Sequence, residues 1–199
     1  MSNTLVTDTG ASETARPESG GRPRTREGSS RRGDASTTDA EGVSPATIED
    51  GSGRAIRFAP YEPAARESLV DMYATFDPTQ RAQGIPPVRR DAVESWLDSV
   101  LEGPSLLAWH EDRVVGHVLF VPDGDGAHEL AIFVHQGYQD AGVGTALLRR
   151  GLDHARAAGV TRVWLSVTWG NDRARAVYRR AGFERERPAG GALRMSRRL

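Results

Sequence analysis

Large apolar residues are scarce from Met1 to about Gly53 and recur with short periods from there to the C-terminus. The first stretch is Ser, Thr, Gly, Asp, Glu and Arg, which cannot bury enough apolar surface to offset its ordering entropy. It reads as a disordered tail over residues 1–53, ahead of one folded domain over 54–199. Arg54–Ala59 alternates as a short strand ended by Pro60. Leu69, Met72, Tyr73 and Phe76 then mark one face of a helix that Asp77-Pro78 stops. After the loop Pro78–Val88, Asp91 and Glu94 suggest a capping box, opening a helix with Val93, Trp96, Leu97, Val100 and Leu101 on its apolar side. Ser105–Trp109 and Val114–Val121 form a hairpin across His110–Arg113, and the turn-rich Pro122–Gly126 leads to a strand at His128–Val134. A long helix runs from Gly142 to about Ala158, with Gly159 as its cap. Val163, Leu165 and Val167 alternate in another strand. Ala174, Val177, Tyr178 and Ala181 face one side of a helix that Asn171 starts and Gly182 ends. Phe183–Arg187 and Ala192–Ser196 close the chain as a hairpin over Pro188–Gly191.

The order is β-α-α-β-β-β-α-β-α-β-β, without an internal repeat. A meander feeding a helical crossover predicts a mixed sheet, antiparallel early and parallel where the helix crosses.

Composition narrows the classes. The 199 residues carry a net charge of −1, and all 26 basic residues are Arg. The tail to Ser52 has six Arg against nine acids, so neither part is a nucleic-acid binder by charge. Cysteine is absent, which excludes a disulfide framework, a thiolate metal site and a cysteine nucleophile. No apolar run reaches membrane-span length, and no export signal follows Arg31-Arg32, so a cytoplasmic protein is expected. His110, His117, His128, His135 and His154 lack ligand spacing, so no metal is expected.

The most informative stretch is Gln139-Asp-Ala-Gly-Val-Gly-Thr145, between a strand and a helix. Gly142 and Gly144 let the main chain approach a ligand, and the helix start offers free N–H groups and a positive dipole end to an anion. Two readings stand on the glycines alone: a diphosphate cradle, or a turn that merely needs glycine. The dinucleotide fingerprint is incomplete, because Leu147 replaces its third glycine and the stretch follows the fourth predicted strand.

Gln139, Gly142 and Gly144, followed by Asn171, Ala174, Tyr178 and Gly182-Phe183, resemble the two spaced motifs of the GNAT superfamily of N-acetyltransferases. The combined pattern covers about residues 128–184. The resemblance implies an α/β fold: a mixed, mostly antiparallel twisted sheet of about 6–7 strands, about four helices and a splayed central strand pair. It implies acetyl-CoA as co-substrate. The main chain of Ile132, Phe133 and Val134 would bind pantetheine, and the Val134 N–H would polarise the thioester. Gln139, Asp140, Ala141, Gly142, Val143, Gly144 and Thr145 would hold the pyrophosphate, with Asn171 and Tyr178 also at the cofactor.

Tyr178 is implied as the donor to the leaving thiolate; its place among Ala174, Val177 and Ala181 also suits a plain core residue. Asn171 suits a helix N-cap equally. Glu129 is the candidate base, or a solvated glutamate at a hairpin end. His128–Val134 specifically resembles the matching strand of bacterial and archaeal protein-lysine acetyltransferases. The expected reaction is direct attack by an amine, from a protein lysine, a protein N-terminus or a small molecule, in a ternary complex. A monomer or homodimer is expected, with no nucleic-acid or membrane partner. The rival classes are a non-catalytic acyl-CoA-binding module and a nucleotide-binding regulatory domain.

Overall fold

The computed structural model of the protein describes residues 46–77, 79, 86–186 and 192–199. Most of the expected tail, part of the loop after Asp77 and the turn over Pro188–Gly191 lie outside the described residues.

The elements are β1 (Ala46–Glu49), β2 (Ala55–Pro60), α1 (Arg66–Ala74), α2 (Arg90–Val100), β3 (Ser105–His110), β4 (Arg113–Pro122), β5 (His128–Val134), α3 (Val143–Ala157), β6 (Arg162–Thr168), α4 (Asp172–Arg180), β7 (Glu184–Arg185) and β8 (Ala192–Arg198). They build one sheet in the order β1-β2-β3-β4-β5-β6-β8-β7. Every neighbouring pair is antiparallel except β5 and β6. The class is the one expected, with eight strands among the described residues instead of six or seven.

The added strand lies inside the expected tail. Ala46–Glu49 pairs with Ala55–Ile56-Arg57-Phe58, so among the described residues strand pairing starts eight residues before Arg54. Ala46-Thr-Ile-Glu49 has one large apolar side chain, half-buried Ile48. A strand pinned by backbone pairing to an existing edge needs no apolar periodicity of its own. A correction concerns α2. Its N-cap is Arg89, without a side-chain cap, and Asp91 lies inside the first turn. The carboxylate of Asp91 pairs with Arg89, and Glu94 pairs with Arg90, so the capping box does not form.

Alternation along the central strands separates two cores. Leu130, Ile132 and Val134 of β5 pack with Val118 and Phe120 of β4 against α3 and α4. Ala131 and Phe133 pack with Leu119 against α1 and α2. On the α3 side the approach is close. A Cβ on Gly151 of α3 would stand 2.6 Å from Val118 Cγ1, and one on Gly116 of β4 would stand 3.0 Å from Leu147. Glycine at both positions therefore lets α3 lie against β4, which fixes where its N-terminus emerges beside β5.

Candidate active site

The site grows from the single parallel pair. β5 and β6 are in register only at His128–Val163 and Glu129–Trp164. β5 stays paired to β4 as far as Val134, and β6 stays paired to β8 as far as Thr168. From Leu130 onward the two strands therefore part, and a gap opens between them.

The main chain facing that gap follows from the register. The N–H of His135 donates to the carbonyl of Val115 on β4 at 2.9 Å. Main-chain groups alternate sides along a strand, so Phe133 also turns its N–H and C=O toward β4, whereas Ile132 and Val134 turn theirs toward the gap. Of the three residues expected to offer backbone to pantetheine, Ile132 and Val134 are so placed. Phe133 is not: its main chain belongs to β4, and its ring lies in the aromatic core with Tyr73 and Trp96.

Above the gap, Gly142 is the N-cap of α3 with φ +87°, a conformation glycine enters without strain. The first N–H groups of α3 lack helical partners and point out of the helix start, with the positive end of its dipole. A cavity of about 310 Å³ lies there, lined by Val134, Gln139, Gly142, Gly144, Thr145 and Arg180, among others. A neighbouring cavity of about 450 Å³ shares Thr145, Val177 and Arg180 and adds Arg149 and Arg197. Two glycines, a helix N-terminus and a rim of arginines suit a long, multiply anionic ligand with a diphosphate. Arg173 and Arg180, two and nine residues after Asn171, carry no spacing signature and went unseen in the sequence.

Not every residue of the stretch offers its side chain. The Gln139 amide donates to the carbonyl of Val134 at 3.0 Å, tying the loop to the end of β5. Asp140, at φ +65°, is ion-paired with Arg173 of α4, whose guanidinium holds its carboxyl below the usual range. Asn171 caps α4 by accepting from the Ala174 N–H at 3.0 Å. The N-cap reading of Asn171 therefore holds.

Tyr178 is 2% exposed, in the same core as Ile132 and Val134, with its ring 5.8 Å from that of Phe183. Burial pushes its hydroxyl well above the ordinary phenol value. The group therefore keeps its proton throughout the neutral range, which a donor requires.

Glu129 is 5% exposed, at the base of the gap, with Val121 opposite on β4 and Trp164 opposite on β6. It is thus no solvated hairpin-end residue. Its side of β5 is that of Ala131 and Phe133, the α1/α2 face. Trp164 donates to Asp123 at 2.8 Å, and the Arg194 guanidinium lies 3.8 Å over its ring.

A second polar chain lies on this face. The Tyr73 hydroxyl is 2.7 Å from His117 Nδ1, and the Ser105 hydroxyl is 2.6 Å from His117 Nε2. Burial drives His117 down to about 3, so the ring is neutral. Among the described residues no group of three or more His, Cys, Asp or Glu is arranged to hold a metal, and no helix is long and apolar enough to cross a membrane.

A parallel strand pair that parts after Glu129, beneath a helix capped by Gly142, is the arrangement this end of the sheet presents. The sequence model of the acetyltransferase (GNAT) family matches residues 67–183, more than half of the chain, and the protein belongs to that family. It is 39% identical over 112 residues to a mycothiol acetyltransferase of Beutenbergia cavernae, a match covering 53% of this chain and 36% of that relative. It is 35% identical over 80 residues to an uncharacterized N-acetyltransferase of Mycobacterium tuberculosis, covering 40% of this chain and 51% of the other. These matches span about half or less of the relatives' own length. Among solved structures, the GNAT domain of the Streptomyces lividans PAT superposes with TM-score 0.63 at 22% identity, over 78% of this chain and 97% of that one. That likeness shows the shared fold.

Proposed function

We propose that the protein transfers an acetyl group from acetyl-CoA to a primary amine by direct attack in a ternary complex. The observation that carries this reading is the parting of β5 and β6 after Glu129, with the cradle at one end of the gap and a buried carboxylate at the other. Acetyl-CoA, when bound, supplies an activated thioester. The residues present suit it: backbone N–H groups at the start of α3 and the Arg173 and Arg180 guanidiniums for diphosphate, and the gap-facing main chain of Ile132 and Val134 for pantetheine.

The chain's own chemistry then concerns two protons. An amine of pKa ~10.4 arrives charged at neutral pH and must lose a proton before it attacks. Glu129 opens onto the α1/α2 face, opposite the cradle, and accepts that proton directly or through water. Tyr178, held protonated by burial, donates to the departing thiolate.

Strand geometry favours one N–H over the other as the group that polarises the thioester carbonyl. At ~3.3 Å per residue, Val134 stands about 16 Å along β5 from Glu129, whereas Ile132 stands about 10 Å away. Both turn their N–H to the gap. Ile132 is the better partner for a base at Glu129, one bridging water making up the remaining distance. Val134 then serves the pantetheine arm.

A CoA-release assay across small amines, polyamines, N-terminal peptides and lysine peptides tests the reading. Release that depends on an amine and is lost in Tyr178→Phe supports it. Tight acetyl-CoA binding without release on any amine would reassign the site to a non-catalytic acyl-CoA module.

A further inference from the structure

Gly137 and Ala141 bracket the part of the cradle loop that carries Gln139 and Asp140, and both are held from outside the loop. The holder is the turn between β1 and β2. The Gly51 N–H donates to the carbonyl of Ala141 at 2.8 Å. A Cβ on Gly51 would stand 3.4 Å from Ala141 Cα, so the two main chains touch. The Arg54 guanidinium donates through Nη1 to the carbonyl of Gly137 at 2.9 Å, and its Cζ lies 4.0 Å over the Tyr138 ring. Tyr138 is fixed at its far end, where its hydroxyl is 2.8 Å from His110 Nδ1.

Arg54 is itself held. Asp50, 5% exposed, accepts from the backbone N–H groups of Ser52 and Arg54 at 2.9 Å each and from Arg54 Nε at 2.9 Å. Arg54 Nη2 completes a two-pronged ion pair with the same carboxylate at 2.7 Å. The Arg54 guanidinium holds the Asp50 carboxyl below its ordinary value, so the pair is charged at neutral pH.

The loop needs such support. Asp140 sits at φ +65° without being glycine, a conformation that persists only when its surroundings over-determine it. The Arg173 ion pair holds its side chain from α4, and the β1–β2 turn holds the backbone on either side.

We propose that the β1–β2 turn is part of the cofactor site, with Asp50 and Arg54 as positioning residues that hold loop 137–141 in its ligand-ready conformation. The inference rests on the reading of that loop as the diphosphate cradle. A loop that spends only part of its time in the competent conformation binds more weakly in proportion, so releasing the brace should raise the dissociation constant without touching the reacting atoms.

The test uses the full-length protein, titrated calorimetrically with acetyl-CoA, together with amide hydrogen exchange of the ligand-free chain. Arg54→Ala should raise Kd roughly 10-fold, the scale of losing one charged bond to a backbone carbonyl. Exchange should quicken over 137–145 and stay unchanged in β3 and β4. Arg54→Lys, which retains a cation for Gly137 but not the two-pronged grip on Asp50, should fall between wild type and Arg54→Ala. It also serves if Arg54→Ala does not fold. Unchanged affinity in both variants, or exchange that quickens equally across the sheet, overturns the brace. A wild-type protein that fails to bind acetyl-CoA would overturn the cradle reading instead.

Discussion

On its α3/α4 face the sheet meets mostly aliphatic side chains, with close glycine contacts at Gly116 and Gly151; on its α1/α2 face it meets a cluster of aromatic rings. Gly116 and Gly151 let α3 lie against β4, and Gly142 opens that helix onto the gap. On the opposite face Tyr73 stands edge-on to Phe133 and Trp96 and bonds to buried His117. In the proposed reading the first face serves the cofactor through backbone groups, whose needs are written in glycine spacing. The second, in that reading, works through individual side chains set by packing, which leave no spacing to read. A cofactor common to a family can be served by the first arrangement, while an acceptor particular to one member calls for the second.

The sharpest way to break this contrast is to put a side chain where the backbone is proposed to bind. At φ +87°, a β-branched residue in place of Gly142 is strained and disturbs the opening N–H groups of α3. Gly142→Val should weaken acetyl-CoA on the order of 100-fold in a calorimetric titration while circular dichroism stays native, since strain of a few kcal/mol is local. Native affinity in the folded variant would remove the cradle from this face.

Glu129→Gln probes the other face. It should lower kcat at neutral pH roughly 100-fold and leave acetyl-CoA affinity alone. Its rate should recover at alkaline pH, where the amine deprotonates unaided. A wild-type pH–rate profile in the variant would place the base elsewhere.

The buried histidine gives the α1/α2 face a pH signature. Unfolded, His117 titrates near 6.5; folded, burial holds it down to about 3. Below pH 6.5 the unfolded chain therefore binds a proton that the folded chain refuses. The stability due to neutral His117 is complete above pH 6.5 and is lost toward pH 3, at up to about 1.4 kcal/mol per pH unit. Urea midpoints at pH 7 and pH 5 should show this loss, and His117→Gln should flatten it by about one proton. A residual slope belongs to His135 and His154, which burial also shifts down. An unchanged slope in the variant would mean that His117 is not held neutral.

The smallest effect is expected at the N-terminus, and it separates the two candidate boundaries. Deleting residues 1–45 should leave melting temperature and acetyl-CoA affinity within error of wild type. Deleting 1–53 removes β1, Asp50 and Gly51 and should weaken acetyl-CoA about as much as loss of the brace, roughly 10-fold. Equal behaviour of the two truncations would restore the boundary at Arg54.

How much of this was legible in the sequence follows the same division. β2 through α4 were readable because their apolar periods and end signals agree, as at Gly159, which takes φ +87° just past the Ala158 C-cap of α3. Gln139, Gly142 and Gly144 stood out in the sequence because a close main-chain approach restricts residue type. β1 was not, since Ala46-Thr-Ile-Glu49 is held by pairing to β2 and by the Asp50 turn, neither of which needs an apolar pattern. Arg54 gave no sign because its partners, Gly137 and Tyr138, are 83 and 84 positions away. The orientation of Phe133 was hidden for a subtler reason: the sequence marks a strand leading into the gap, but only the register with β4 tells which of its residues turn their main chain inward. Arg173 and Arg180 line the cavity at the start of α3 through the docking of α4, which no local pattern encodes.

The central claim is that Tyr178 is a proton donor and not simply a buried ring. Charge on the thiolate appears only as the carbon–sulfur bond breaks, so a donor there stabilises the transition state more than the bound ground state. Tyr178→Phe keeps the ring, its packing against Phe183 and the fold, and removes one hydroxyl. With an accepted amine at saturation, kcat should fall roughly 10- to 1000-fold, while calorimetry returns the wild-type acetyl-CoA affinity. A variant that turns over at the wild-type rate would contradict the account and leave Tyr178 as core.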